Sequence, residues 1–114
     1  MNNMIKLVVL FILFVASHAK ICEQIENVRD ISEVPVTHIP KICVGSFLVK
    51  LKNTPFNLKN MAHAYNVCAS HADCAYIIFQ DDDEVHMHKG GCKKYGTSHT
   101  YEMKCHHASV NEIL

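Results

Sequence analysis

The sequence predicts an α+β fold in which one α-helix packs on an antiparallel β-sheet in a small, disulfide-rich domain. Three observations lead to this fold class. The chain has six cysteines in 114 residues. One stretch has the apolar period of a helix, and several short stretches rich in β-branched and aromatic residues are separated by turn residues. One helix beside a set of short strands is the α+β arrangement.

The first 19 residues predict a signal peptide. Lys6 supplies a short basic start, and residues 7–16 form an apolar run of ten. This run is shorter than the roughly twenty residues needed to cross a bilayer. Small residues up to Ala19 predict cleavage after that position. We therefore expect residues 20–114 to form a single secreted domain without a membrane span.

The cysteines predict a disulfide framework, because an even number in a short secreted chain is typical of one. A domain of this size often needs such covalent support. The absence of a C-x2-C pair argues against zinc ligation by cysteine. Six cysteines allow fifteen pairings, so the connectivity stays open at this point. All six follow the predicted signal peptide: Cys22, Cys43, Cys68, Cys74, Cys92 and Cys105.

Two extended segments precede the helix. Residues 34–40 are predicted to be extended, because Pro35 and Pro40 each remove a ladder donor and restrict the preceding residue. Residues 43–53 predict a strand from a period-two pattern. In that pattern Phe47, Val49 and Leu51 alternate with Leu48, Lys50 and Lys52.

A helix is predicted over residues 58–71. Its apolar residues recur three or four positions apart, which places them on one helix face. Asn57 is a suitable N-cap. The apolar face consists of Leu58, Met61, Ala62, Tyr65 and Cys68 with Ala69.

Short strands are predicted after the helix. Residues 75–80 are apolar and β-branched, which indicates a buried strand. The acids of residues 81–84 predict a turn, and Gly90-Gly91 predicts the turn that ends the next strand. The remaining strands are predicted in EVHMHK (84–89), CKKYG (92–96) and HTYEMKC (99–105).

Composition and motifs argue against several functions. The formal net charge is zero with histidines neutral, and no basic patch stands out, so neither nucleic acid nor an anionic membrane is an expected partner. Paired cysteines leave no thiolate nucleophile. No nucleophile elbow surrounds a serine, and the acids are concentrated in one run. We therefore predict no catalytic residue, no enzyme activity and no cofactor.

The stretch DDDEVHMHKGGC (81–92) raises the question of a metal site. His86 and His88 are two residues apart, so on a strand they point to the same face. With Asp83 they would suit zinc or copper better than calcium. The alternative is that the acids form a solvated turn, while the histidines face water and Val85 and Met87 face the core. We favour this alternative, and a third ligand from His99, His106 or His107 would shift the balance toward a metal site.

Titration and aromatic residues give two further expectations. Histidines close to acids titrate near neutral pH, so surface charge should change between about pH 5 and 7. Tyr95 and Tyr101 lie in short, edge-like strands and are the candidate binding residues. The other ring residues considered are predicted to lie in the core because they fall on apolar faces, and these are Phe47, Tyr65, Tyr76 and Phe79.

Two segments, MAHAYNVCASHADCAYIIF (61–79) and HKGGCKKYG (88–96), resemble the PAN/apple family. In that family a helix leads through a Cys-x5-Cys spacing into a strand, and a hairpin returns with another cysteine. Cys68 and Cys74 supply the spacing here, and Cys92 the returning cysteine. The chain departs from the family at Ala64, where a second helical cysteine is usual.

The resemblance implies both a cystine pattern and a function. It implies that Cys22 pairs with Cys105 and that Cys68 pairs with Cys74, and the two cysteines that remain are Cys43 and Cys92. PAN/apple modules are non-catalytic units that bind extracellular proteins or carbohydrates. We therefore expect a secreted binding polypeptide, in the format of a venom toxin or secreted effector. A secreted metal-binding protein that uses histidines and acids is the alternative.

Overall fold

The computed structural model describes residues 20–93, 96 and 99–107, so the predicted signal peptide lies outside the described residues. The fold class is confirmed, because one α-helix packs on an antiparallel sheet in a chain with three disulfides. In chain order the elements are β1 (Lys20–Ile21), a 3-10 turn (Ile31–Glu33), β2 (Val36–Ile39), β3 (Ile42–Cys43), β4 (Val49–Leu51), α1 (Leu58–Ser70), β5 (Tyr76–Phe79), β6 (Val85–His88), β7 (Cys92–Lys93), β8 (His99–Met103) and β9 (His106–His107).

The described residues belong to two compact units. In the first, β1 and β9 pair antiparallel and the Cys22–Cys105 disulfide joins the two segments. The second, Glu23–Lys104, contains α1 and strands β2 to β8. The predicted sheet lies in this second unit.

A five-stranded antiparallel sheet forms the centre of the second unit, with the strand order β2-β8-β5-β6-β4. Both β4 and β5 pair antiparallel with β6, so they run parallel to each other on its two sides. Helix α1 connects these two strands as a crossover, which places it on one face of the sheet. Directly opposed residues in antiparallel strands share a face, so the register determines what each face carries.

The face that α1 covers, here called the helix face, carries most of the apolar core. Phe56 directly precedes the helix N-cap and packs edge-on against Phe79, with ring centroids 5.1 Å apart. Ile77, Val85 and Met87 on this face are fully buried. Across the sheet it carries the rows His38–Tyr101–Ile77–Met87–Val49 and His99–Phe79–Val85–Leu51.

Helix α1 begins and ends close to the predicted positions. Asn57 is the N-cap, and its side chain accepts a hydrogen bond from the backbone N–H of Asn60 at 2.7 Å. This bond satisfies one of the unpaired donors of the first turn. The buried residues of α1 are Met61, Ala64, Tyr65 and Cys68. The small side chain of Ala64 thus occupies the core where the PAN/apple pattern has a cysteine.

The opposite face is also covered, which the sequence did not indicate. Residues 41–48 lie against it, and the Thr100 hydroxyl donates a 2.7 Å hydrogen bond to the Lys41 carbonyl. The ring of Phe47 packs on the same face, against His86 and His88. This face carries the rows Thr37–Glu102–Tyr76–His88 and Ile39–Thr100–Ile78–His86–Lys50.

The strand predicted over residues 43–53 is wrong as one element. It is divided into β3 and β4, and the residues between them include Gly45 at φ 95°. That φ is in the left-handed region that glycine adopts readily. The predicted burial of Phe47 is also wrong, since its side chain is 42% exposed and lies outside both strands.

The three disulfides join the pairs that the resemblance implies. They connect Cys22 with Cys105, Cys43 with Cys92 and Cys68 with Cys74. The first lies in the unit of β1 and β9. The second joins directly opposed residues of β3 and β7, and the third ties the end of α1 to the start of β5. No free cysteine is present among the described residues.

Candidate binding surface

His86 and His88 lie on one face of β6, as the alternation predicts, but their environments differ. The prediction that both face water is wrong for His88, which is only 4% exposed. Residues 41–48 cover it, and its ring meets Phe47 edge-on with centroids 6.4 Å apart. The half-buried His86 stacks on Phe47 at 4.5 Å, and its Nε2 lies 3.1 Å from Glu84 Oε1. These contacts occupy the histidines that were the metal candidates.

Of the possible third ligands, only His99 has a side chain that the structure describes, and the side chains of His106 and His107 lie outside the described residues. His99 lies on the helix face, whereas His86 and His88 lie on the opposite face. Asp83 is in the turn before β6 at φ 62°, and its carbonyl accepts a 2.6 Å hydrogen bond from the N–H of Thr54. Within the ranges given above, no three His, Cys, Asp or Glu side chains are grouped so that they could hold a metal ion.

Burial lowers the pKa of His88 below its ordinary value of 6.5, and the neighbouring His86 lowers it further. The unfolded chain therefore takes up a proton at this position at a higher pH than the folded chain does. Above about pH 6.5 both states are neutral there and the full stability is present. We expect the free energy of unfolding to fall as the pH drops below 6.5 toward the lower pKa of the folded state.

Urea unfolding at a series of pH values between 5 and 8 measures this effect. His88→Gln should reduce the slope below pH 6.5. His63→Gln removes an exposed helix histidine instead and should keep the slope. A profile that His88→Gln leaves unchanged would assign the pH dependence to other groups.

Phe56 is an exposed aromatic residue on the helix face. Its side chain is 47% exposed, and its ring is nearly parallel to the rings of Tyr101 and His99, with interplanar angles of 9° and 17° and centroids 5.9 and 6.0 Å away. His38 adds a fourth ring, 5.1 Å from Tyr101. We call these four residues, His38, Phe56, His99 and Tyr101, the aromatic patch.

Three different parts of the chain build the aromatic patch. The register between β2 and β8 sets His38 opposite Tyr101 and diagonal to His99. The loop before α1 adds Phe56. The prediction of an edge-like strand is wrong for Tyr101, because β8 is paired with β2 on one side and β5 on the other. Tyr101 is 8% exposed and forms the floor of the patch, while the two histidines are exposed. Burial also raises the pKa of Tyr101 above its ordinary value of 10.0.

Tyr101 was the only patch residue that the sequence singled out for binding. Tyr95, its predicted companion, lies outside the described residues. His38 was not singled out, and His99 was considered only as a third metal ligand. Phe56 had one usable signal, since it is a large aromatic residue in the polar loop Thr54–Asn57.

Among the residues that the structure describes, no helix is long and apolar enough to cross a membrane. Three disulfides are compatible with an extracellular location. Comparison of the chain with protein-family models, with curated proteins and with solved structures finds no match in any of the three.

Proposed function

We propose that the chain is a secreted, non-catalytic polypeptide that binds an extracellular protein or glycan through the aromatic patch. This proposal rests on the exposed ring of Phe56, which lies nearly parallel to the rings of Tyr101 and His99 on strand β8. Aromatic residues are enriched where protein interfaces are fully buried, and they contribute a large share of binding energy. A ring face is also suited to packing against the apolar face of a sugar ring.

The aromatic patch is held rigidly in the fold, which supports this assignment. Tyr101 is paired on both sides, with His38 in β2 and with Ile77 in β5. Phe56 packs against Phe79 and directly precedes Asn57, the N-cap of α1, so its position is fixed by both neighbours. Side chains already held in place lose little conformational freedom on binding, which leaves more of the contact energy as affinity.

Secretion and the class of protein rest on other features. The predicted signal peptide and the three disulfides favour an oxidising extracellular environment. The resemblance to PAN/apple modules favours a binding role over catalysis. Together they support a toxin-like or effector-like polypeptide whose single domain acts by attachment to its target.

Binding to immobilised extracellular glycans and receptor ectodomains tests the proposal. We expect the oxidised chain to bind one target saturably, and soluble target to compete with it. The combined change of His38 and Phe56 to alanine should abolish that binding while leaving the three disulfides intact. Saturable binding that survives this double variant, or turnover of the target, would contradict the proposal.

A further inference from the structure

We propose that His38 and His99 form a two-histidine site for a divalent transition-metal ion, with zinc and copper as the fitting class. Their ring centroids are 6.2 Å apart and the ring planes are tilted by 40°. Imidazole is a ligand that suits these ions, whereas calcium and magnesium prefer oxygen ligands. The site differs from the pair at His86 and His88 that the sequence suggested.

The spacing of the two rings is close to that of a chelating pair. A ring nitrogen binds zinc at about 2.1 Å, so a ring centroid lies about 3.2 Å from the ion and two such centroids lie roughly 5–6 Å apart. The observed 6.2 Å is within a small side-chain rotation of that range. His38 and His99 are diagonal neighbours on one face of paired strands. One ion can contact both side chains, because long side chains at diagonal positions of paired strands reach each other.

The nitrogens of this pair are accessible. Both side chains are exposed, and neither makes a hydrogen bond within the described residues. Phe56 lies nearly parallel to the His99 ring, with centroids 6.0 Å apart, and a phenyl ring has no oxygen or nitrogen atom that would occupy the histidine nitrogens. In contrast, Nε2 of His86 meets Glu84 and His88 is buried.

Two ligands leave the remaining coordination positions open. Water or a carboxylate of a bound molecule can fill them. Zinc sites with an exchangeable position usually have three protein ligands, so we expect this two-histidine site to bind zinc more weakly than those do. The ion would lie beside Phe56 on the aromatic patch. Metal binding is nevertheless measured with the protein alone, so its failure would not bear on target recognition.

Titration of the oxidised chain with zinc chloride at pH 7.5 tests the site. We expect one zinc ion per chain, released by a chelator. Changing either ligand, in His38→Gln or His99→Gln, should weaken binding by at least about tenfold, since even the loss of a supporting residue around a metal costs that much. Calcium chloride should give no binding.

Two controls keep the assignment specific. His63→Gln removes an exposed histidine of α1 and should bind zinc as the wild type does, which excludes an effect of histidine number. Phe56→Ala should also retain zinc while it loses target binding. Zinc affinity that is unchanged in both ligand variants would overturn the site, and a loss caused by His86→Gln alone would assign the metal to the other face.

Discussion

Replacing both Cys43 and Cys92 by serine should lower the free energy of unfolding by about 4 kcal/mol. The two residues are 49 positions apart, and a cross-link over a loop of that length removes about 4 kcal/mol of chain entropy from the unfolded state. The bridge also holds the short β3–β7 pair, beside the segment that covers His88. Loss of the bridge should therefore expose the face of the sheet that carries His88.

Urea unfolding of the double variant measures this free energy. Replacing Cys68 and Cys74 by alanine is the comparison, because that bridge spans only 6 positions and contributes about 2 kcal/mol in the same entropic account. Both of these cysteines are buried, so a packing cost adds to that figure. His88 should also become reactive toward a histidine-modifying reagent in the first variant only. A loss of less than about 2 kcal/mol in the Cys43/Cys92 variant, with His88 still protected, would contradict this role for Cys43–Cys92.

Changing Ile77 to alanine should destabilise the protein by about 3 kcal/mol. Ile77 is 0% exposed and lies in β5, between Tyr101 of β8 and Met87 of β6. Truncation of a buried isoleucine loses the transfer energy of its methyl groups and leaves a cavity in the core, at a cost of about 2–5 kcal/mol. Since Tyr101 is the floor of the aromatic patch, the cavity should also loosen the patch.

The control for this change is Ile31→Ala. Ile31 lies in the 3-10 turn and is 38% exposed, so its truncation should alter the free energy of unfolding by less than about 1 kcal/mol. Thermal or urea unfolding compares the two variants. Similar effects of the two truncations would mean that β5 is not the centre of the core.

Local patterns in the sequence predicted the helix and most strands. The period of Leu58, Met61 and Tyr65 gave α1 within one residue of its end, and Asn57 was correct as its N-cap. Alternation predicted β6 and the burial of Val85 and Met87. Such predictions succeed because they depend on residues a few positions apart, whose geometry the backbone period fixes.

Features that depend on distant contacts were not predictable in this way. The burial of His88 results from residues 41–48, which are about forty positions away and fold over a face that alternation treats as solvent-exposed. The aromatic patch depends on the β2–β8 register, which joins His38 to a strand about sixty residues later. Neither arrangement leaves a periodic signal, because each is set by packing between segments far apart in sequence.

The affinities of Phe56→Ala and Phe47→Ala for the same target test the proposed binding surface most directly. Both residues are exposed phenylalanines of similar accessibility, 47% and 42%, on opposite faces of the sheet. If the aromatic patch binds the target, Phe56→Ala should raise the Kd by more than about tenfold, as expected for a central contact residue, while Phe47→Ala changes it by less than about twofold. A large loss of affinity in Phe47→Ala with unchanged binding in Phe56→Ala would contradict the assignment and place the binding surface on the opposite face.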